Sequence, residues 1–111
     1  MQITEKKNED VSIYSINGDI DINSSPHIRK AFDKPINDKV KKIVINLTDV
    51  SYIDSSGLAT LVEMLKKTRC YGGKIRLTNL AAKVKSLFEI TKLEKLFDIY
   101  DSEEDASCDF V

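Results

Sequence analysis

A strand-to-helix junction at the centre of this chain constrains its fold more than any other feature. Ile43-Val44-Ile45-Asn46-Leu47 has four large apolar residues in five. That run is too continuous for a strand with one wet face, and it reads as a strand buried on both sides. Further on, Leu58, Leu61, Val62 and Leu65 recur at i, i+3, i+4 and i+7, the stripe of an amphipathic helix facing a core. Between the two lies Asp49-Val50-Ser51-Tyr52-Ile53-Asp54-Ser55-Ser56-Gly57, which sets two adjacent hydroxyls where the helix opens. The first N–H groups of a helix have no partner inside it, and the macrodipole adds partial positive charge there. A phosphate at such a junction is favoured by about 0.3–1 kcal/mol when exposed.

The rest of the chain repeats this alternation. Gln2 to Glu5 and Val11 to Asn17 predict a hairpin around a polar turn at Lys6 to Asp10, with Val11, Ile13 and Ser15 on one face and Ser12, Tyr14 and Ile16 on the other. Ser25-Pro26 reads as an N-cap and first-turn pair opening a helix through Ile28, Ala31 and Phe32, which Pro35 should end or kink. Tyr71-Gly72-Gly73 predicts a helix stop, followed by a strand at Lys74 to Thr78. A helix over Ala81 to Ile90 should bury Val84, Leu87 and Phe88, and a short strand should follow at Phe97 to Tyr100. Strands separated by helices need crossover connections. The expectation is therefore one α/β domain over residues 1–111: a mixed, mostly parallel sheet of four to five strands with helices packed against it. The acidic tail, about residues 101–111, is expected to be helical or frayed.

Composition narrows the function classes. A chain of 111 residues supports a single core without a second catalytic lobe, and a formal charge of −1 supplies no general field for nucleic acid. No apolar run reaches the 18 or more residues of a membrane span, and MQITEKKNED lacks the apolar segment of a signal peptide. A cytoplasmic protein with protein partners, and with neither nucleic acid nor membrane among them, is the expectation. Cys70 and Cys108 have no CxxC spacing and no accompanying histidines, which predicts free thiols, no metal site and no resident cofactor. His27 reads as a surface residue.

The junction hydroxyls admit more than one reading from local sequence. A serine there usually caps the helix, so Ser55 or Ser56 could do only that. Asp19 and Asp21 could be ordinary solvated turn residues. Gly57 could let a partner approach the backbone closely. A nucleophile elbow would need G-x-S-x-G, but Ile53 stands where a glycine is required, and His27 would have to serve as base. No G-x-x-x-x-G-K-[ST] phosphate loop is present. These absences leave a binding protein, with no catalytic residue, as the expected class.

Three segments carry a resemblance: Gly18-Asp19-Ile20-Asp21, the central Asn46 to Leu58 block ending in Asp54-Ser55-Ser56-Gly57-Leu58, and Gly72-Gly73-Lys74-Ile75-Arg76-Leu77 with Val84-Lys85-Ser86-Leu87-Phe88. Over essentially its whole length the chain resembles a stand-alone STAS domain of the anti-sigma factor antagonist family. That resemblance implies that Ser55 is a phosphoacceptor flanked by Asp54, Ser56 and Gly57, and that Asp19, Asp21 and Leu58 contact the partner. It further implies that the unphosphorylated form binds an anti-sigma factor serine kinase, which holds the ATP, and so frees a sigma factor. Phosphorylation ends the interaction and a serine phosphatase restores it. An alternative within the same resemblance is an accessory subunit of a lipid or anion transporter. Two departures are visible: Ala59 stands where many members have glycine, and Pro35 interrupts the first helix.

The physics of such a switch is simple. A phosphate on Ser55 adds about −1.5 to −2 charges and three acceptor oxygens at one point. Against a partner offering carboxylates or apolar surface, about 3 kcal/mol of penalty removes two decades of affinity. The fold itself is expected to stay nearly unchanged.

Overall fold

A computed structural model describes residues 1–108. It contains one five-stranded sheet in the order β1 (Gln2–Asn8), β2 (Val11–Asn17), β3 (Lys42–Asp49), β4 (Lys74–Thr78) and β5 (Asp98–Tyr100). β1 pairs antiparallel with β2, and every other neighbouring pair is parallel. The parallel pairs are joined by α1 (Ser25–Asn37), α2 (Ser55–Arg69) and α3 (Ala82–Ile90). A single 3₁₀ turn, Leu93–Lys95, leads into β5, and α4 (Glu103–Ser107) ends the described chain.

The β3 apolar run is covered on both faces, as its composition demands. Ile43, Ile45 and Leu47 join the main core with Ile28 and Phe32 of α1, Leu61 and Met64 of α2, and Val84 and Phe88 of α3. Val44 points the other way and packs with Val11, Ile13 and Ala106 under α4. β2 alternates as predicted, with Val11 and Ile13 in the outer cluster and Tyr14 and Ile16 in the main one.

Three details differ from the sequence expectation. β1 runs to Asn8, so Lys6 and Lys7 are strand residues opposite Ile13 and Ser12, and the turn is only Glu9-Asp10. An edge strand wet on most of its surface needs no apolar alternation, and lysines there discourage pairing with another chain. α1 is preceded by Ser24 as its N-cap, one residue earlier than predicted, with Pro26 in the first turn. The helix continues through the buried Pro35 to Asn37. Proline sacrifices one helical bond, and here it sits in the last turn, with only Ile36 and Asn37 of the helix beyond it. The acidic tail, expected to be helical or frayed, is helical over 103–107: Ser102 caps α4 by accepting from the Asp105 N–H at 3.1 Å, and Arg76 Nη1 donates to the Ala106 and Cys108 carbonyls at 3.0 and 3.2 Å. Residues 109–111 of that predicted tail lie outside the described residues.

Candidate phosphoacceptor site and docking face

The site is assembled by two loops that leave the C-terminal ends of β2 and β3 side by side. The Gly18 N–H donates to the Asp49 carbonyl at 3.2 Å, the Ile20 N–H to the Tyr52 carbonyl at 2.9 Å, and the Asp54 N–H to the Ile20 carbonyl at 3.1 Å. Ile20 and Ile53 thus form a parallel bridge beyond the regular strands. Both side chains are buried, and they pin the loops to the core. The motif residues on either side, Asp19 and Asp21 in one loop and Tyr52 and Asp54 in the other, are turned outward by the same alternation.

α2 begins directly from this bridge, and its cap is Asp54. Asp54 is extended (φ −97°, ψ −178°), and its Oδ1 accepts from the Gly57 N–H at 2.8 Å. Its Oδ2 accepts from the Ile22 N–H at 3.3 Å, which ties the two loops together once more. Neither serine is needed as the cap. Ser55 is the first helical residue and is exposed, and among the described residues its hydroxyl has no hydrogen-bond partner. Ser56 is half-buried, and its carbonyl accepts from Thr60 Oγ1 at 2.9 Å.

Gly57 serves the interior of the molecule. A Cβ there would lie 2.4 Å from the Ile20 carbonyl oxygen and 2.9 Å from Ile53 Cγ2, so the helix can sit this close to the bridge only with glycine. Leu58 is buried as well, at 7% exposure, and contributes to the core beneath the site. Asp21 Oδ1 accepts from the Asn23 and Ser24 N–H groups at 2.9 and 3.0 Å and shapes the entry to α1. Asp19 Oδ1 accepts from Ser51 Oγ at 3.3 Å. The structure therefore brings Asp19, Asp21, Asp54, Ser55 and Ser56 to one end of the sheet, with Gly57 and Leu58 just below.

Two apolar side chains stand out on the same end. Ile22 is 68% exposed and Tyr52 is 54% exposed, in a molecule whose large hydrophobics are mostly inside. No periodicity in the chain singles out Ile22, because exposure in a turn has none. A groove of about 550 Å³ runs from Tyr52, Ser55 and Leu58 on one wall to Lys83, Val84 and Leu87 of α3 on the other. Lys83 carries no local signal of a site residue; only the fold, which sets the start of α3 along the same groove, brings it here. Cys70 and Cys108 are free and exposed, and His27 is exposed on α1. Among the described residues no group of three or more His, Cys, Asp or Glu could hold a metal ion, and no helix is long and apolar enough to cross a membrane.

Comparisons with known proteins agree with this architecture. The family model for the STAS domain matches residues 2–106. The anti-sigma-B factor antagonist of Bacillus subtilis is 35% identical over 99 residues, covering 89% of this chain and 90% of that protein. The crystal structure of a candidate anti-sigma factor antagonist from Thermotoga maritima superposes with a TM-score of 0.92 at 30% identity, covering 97% of this chain and 93% of that one. The murine Slc26a9 anion transporter contains the same fold (TM-score 0.81, 18% identity), but the match covers 92% of this chain and only 18% of that protein, so the likeness is one of fold alone. The chain belongs to the STAS domain family and, within it, to the anti-sigma factor antagonists.

Proposed function

We propose that this protein is a partner-switching regulator: unphosphorylated, it docks an anti-sigma factor serine kinase through the face around Ser55, and phosphorylation of Ser55 releases it. One observation carries the reading. Asp54 caps α2, so the Ser55 hydroxyl is left exposed and, among the described residues, without a hydrogen-bond partner, free to enter another protein's active site. A serine consumed as a cap could not be phosphorylated without losing that cap.

In the transfer, the Ser55 oxygen forms a bond to the γ-phosphorus of ATP held by the partner while the bond from that phosphorus to the β–γ bridging oxygen breaks. ADP leaves, and the hydroxyl proton passes to a base of the kinase. This chain contributes the acceptor and its presentation on a rigid helix start. Ile22 and Tyr52 supply apolar docking area beside it, the kind of side chain that dominates interface energetics, and Asp19 lies next to them as a polar border. A dianion arriving on the same face as those apolar anchors is forced either to be desolvated or to push the partner off. A serine phosphatase then resets the surface.

The transporter-subunit alternative finds no specific support at the site, since its only likeness is of fold. Incubation with an anti-sigma factor kinase and ATP, followed by peptide mass spectrometry, should place one phosphate on Ser55. Ser55→Ala should remain bound to the kinase when ATP is added. Release of Ser55→Ala at the wild-type rate would contradict the assignment.

A further inference from the structure

We infer that Lys83 is the charge clamp of the phosphorylated state: its ammonium pairs with a phosphate on Ser55 across the groove between α2 and α3. The inference rests on the reading of Ser55 as phosphoacceptor and deepens it. Among the described residues that line the groove, Lys83 is the only cation, and it faces the wall that carries Ser55. Lys83 is exposed and, among the described residues, has no ion-pair partner, unlike Lys6, Arg29, Lys42 and Lys67.

Its place in the helix is also unusual. Lys83 is in the first turn of α3, where the macrodipole disfavours a cation. That turn has no acidic residue, and its N-cap, Ala81, makes no side-chain cap bond. The start of α3 is therefore positive and uncompensated. Asp54 is the groove's one carboxylate, but its two oxygens accept from the Gly57 and Ile22 N–H groups, and it makes no ion pair with Lys83. A phosphate on Ser55 supplies the missing anion. The pair would span the groove from α2 to α3 over the half-buried Leu87.

The test installs phosphoserine at position 55 of the full chain during translation, so it does not depend on any kinase, and follows the second ionisation of the phosphate by phosphorus NMR. An exposed phosphoserine has its second pKa near about 6. With an exposed ion pair, that value should be lower by about 0.2–0.7 in the wild type than in Lys83→Met. Lys83→Arg should keep the wild-type value, and Lys85→Met, on the same helix but outside the groove, should keep it too. The difference should narrow at high salt. Asp19, Asp21 and Asp54 border the phosphate in every variant and so cancel from the comparison. Lys83→Met removes a cation from a helix start and should fold normally. Identical titrations of wild type and Lys83→Met would overturn the clamp, as would an equal change in Lys85→Met, which would indicate a diffuse field. Neither result bears on whether Ser55 is the natural acceptor, which the kinase experiment decides separately.

Discussion

Asp54, Ser55, Ser56 and Gly57 divide the work of one helix start, and each division has an energetic consequence. Asp54→Ala should lose about 0.5–2 kcal/mol, the usual cost of an N-cap, while Asp54→Ser should recover most of it; urea unfolding of the two variants distinguishes the cases. Gly57→Ala puts a methyl 2.4 Å from the Ile20 carbonyl oxygen, a backbone atom that cannot swing aside. Overpacking of this kind should cost about 1–3 kcal/mol in the same measurement and loosen the bridge that positions Ser55. The junction and both serines are legible in the sequence, yet the identity of the cap is not. Asp and Ser are nearly equal as caps, and the decision comes from the chain's path, which leaves Asp54 extended and Ser55 already helical. Gly57 escapes local reading for a related reason. A close approach of backbones is a tertiary fact, and local sequence suggests an outside partner where the neighbour is Ile20.

Among the elements, those with apolar faces are readable from sequence and those without are not. β2 and β4 have the expected bounds, α3 starts one residue later, β3 runs two residues further, to Asp49, and the α2 stripe lies on a helix from Ser55 to Arg69; Leu87, expected to be buried, is half-buried at the groove. β1 is polar and extends beyond the expectation, and α4 settles the tail's two open readings in favour of a helix, because each gains its place from a neighbour's surface and a few ionic contacts. α4 is held by Arg76, whose Nη1 reaches two carbonyls and whose guanidinium lies over the Tyr100 ring at 4.9 Å. Arg76→Met should destabilise the protein by about 1.5–3 kcal/mol and raise amide exchange in residues 103–107 before it affects β3. Glu103 provides a second tie, with Lys6 Nζ at 2.8 Å and Asn46 Nδ2 at 2.5 Å. Those hydrogen bonds, from Lys6 first and Asn46 second, hold the Glu103 carboxyl below its ordinary value near 4.5. A carboxyl depressed in the folded state stabilises fully above its unfolded value and loses that contribution as pH falls through the folded one. The stability advantage of wild type over Glu103→Gln should therefore be present at neutral pH and close in acid. Parallel pH profiles of the two unfolding midpoints would contradict the tie.

At the scale of the whole molecule, three parallel crossovers place every helix start that follows a strand at one end of the sheet, and the site sits there, at the carboxyl ends of β2 and β3. The core lies behind it and does not include the Ser55 hydroxyl, so a phosphate can be added without disturbing packing. Backbone shift changes on phosphorylation should be confined to residues 18–24, 51–58 and 81–91, with β1, β5 and the outer face unmoved. On the proposed function, one exposed hydroxyl decides whether a partner can grip this end of the molecule. The most direct test is the dissociation constant of the anti-sigma factor kinase for two homogeneous forms of this chain, unmodified and carrying phosphoserine at position 55. Phosphorylation should weaken binding about a hundredfold or more, equivalent to about 3 kcal/mol. Equal affinities for the two forms would contradict the proposed function.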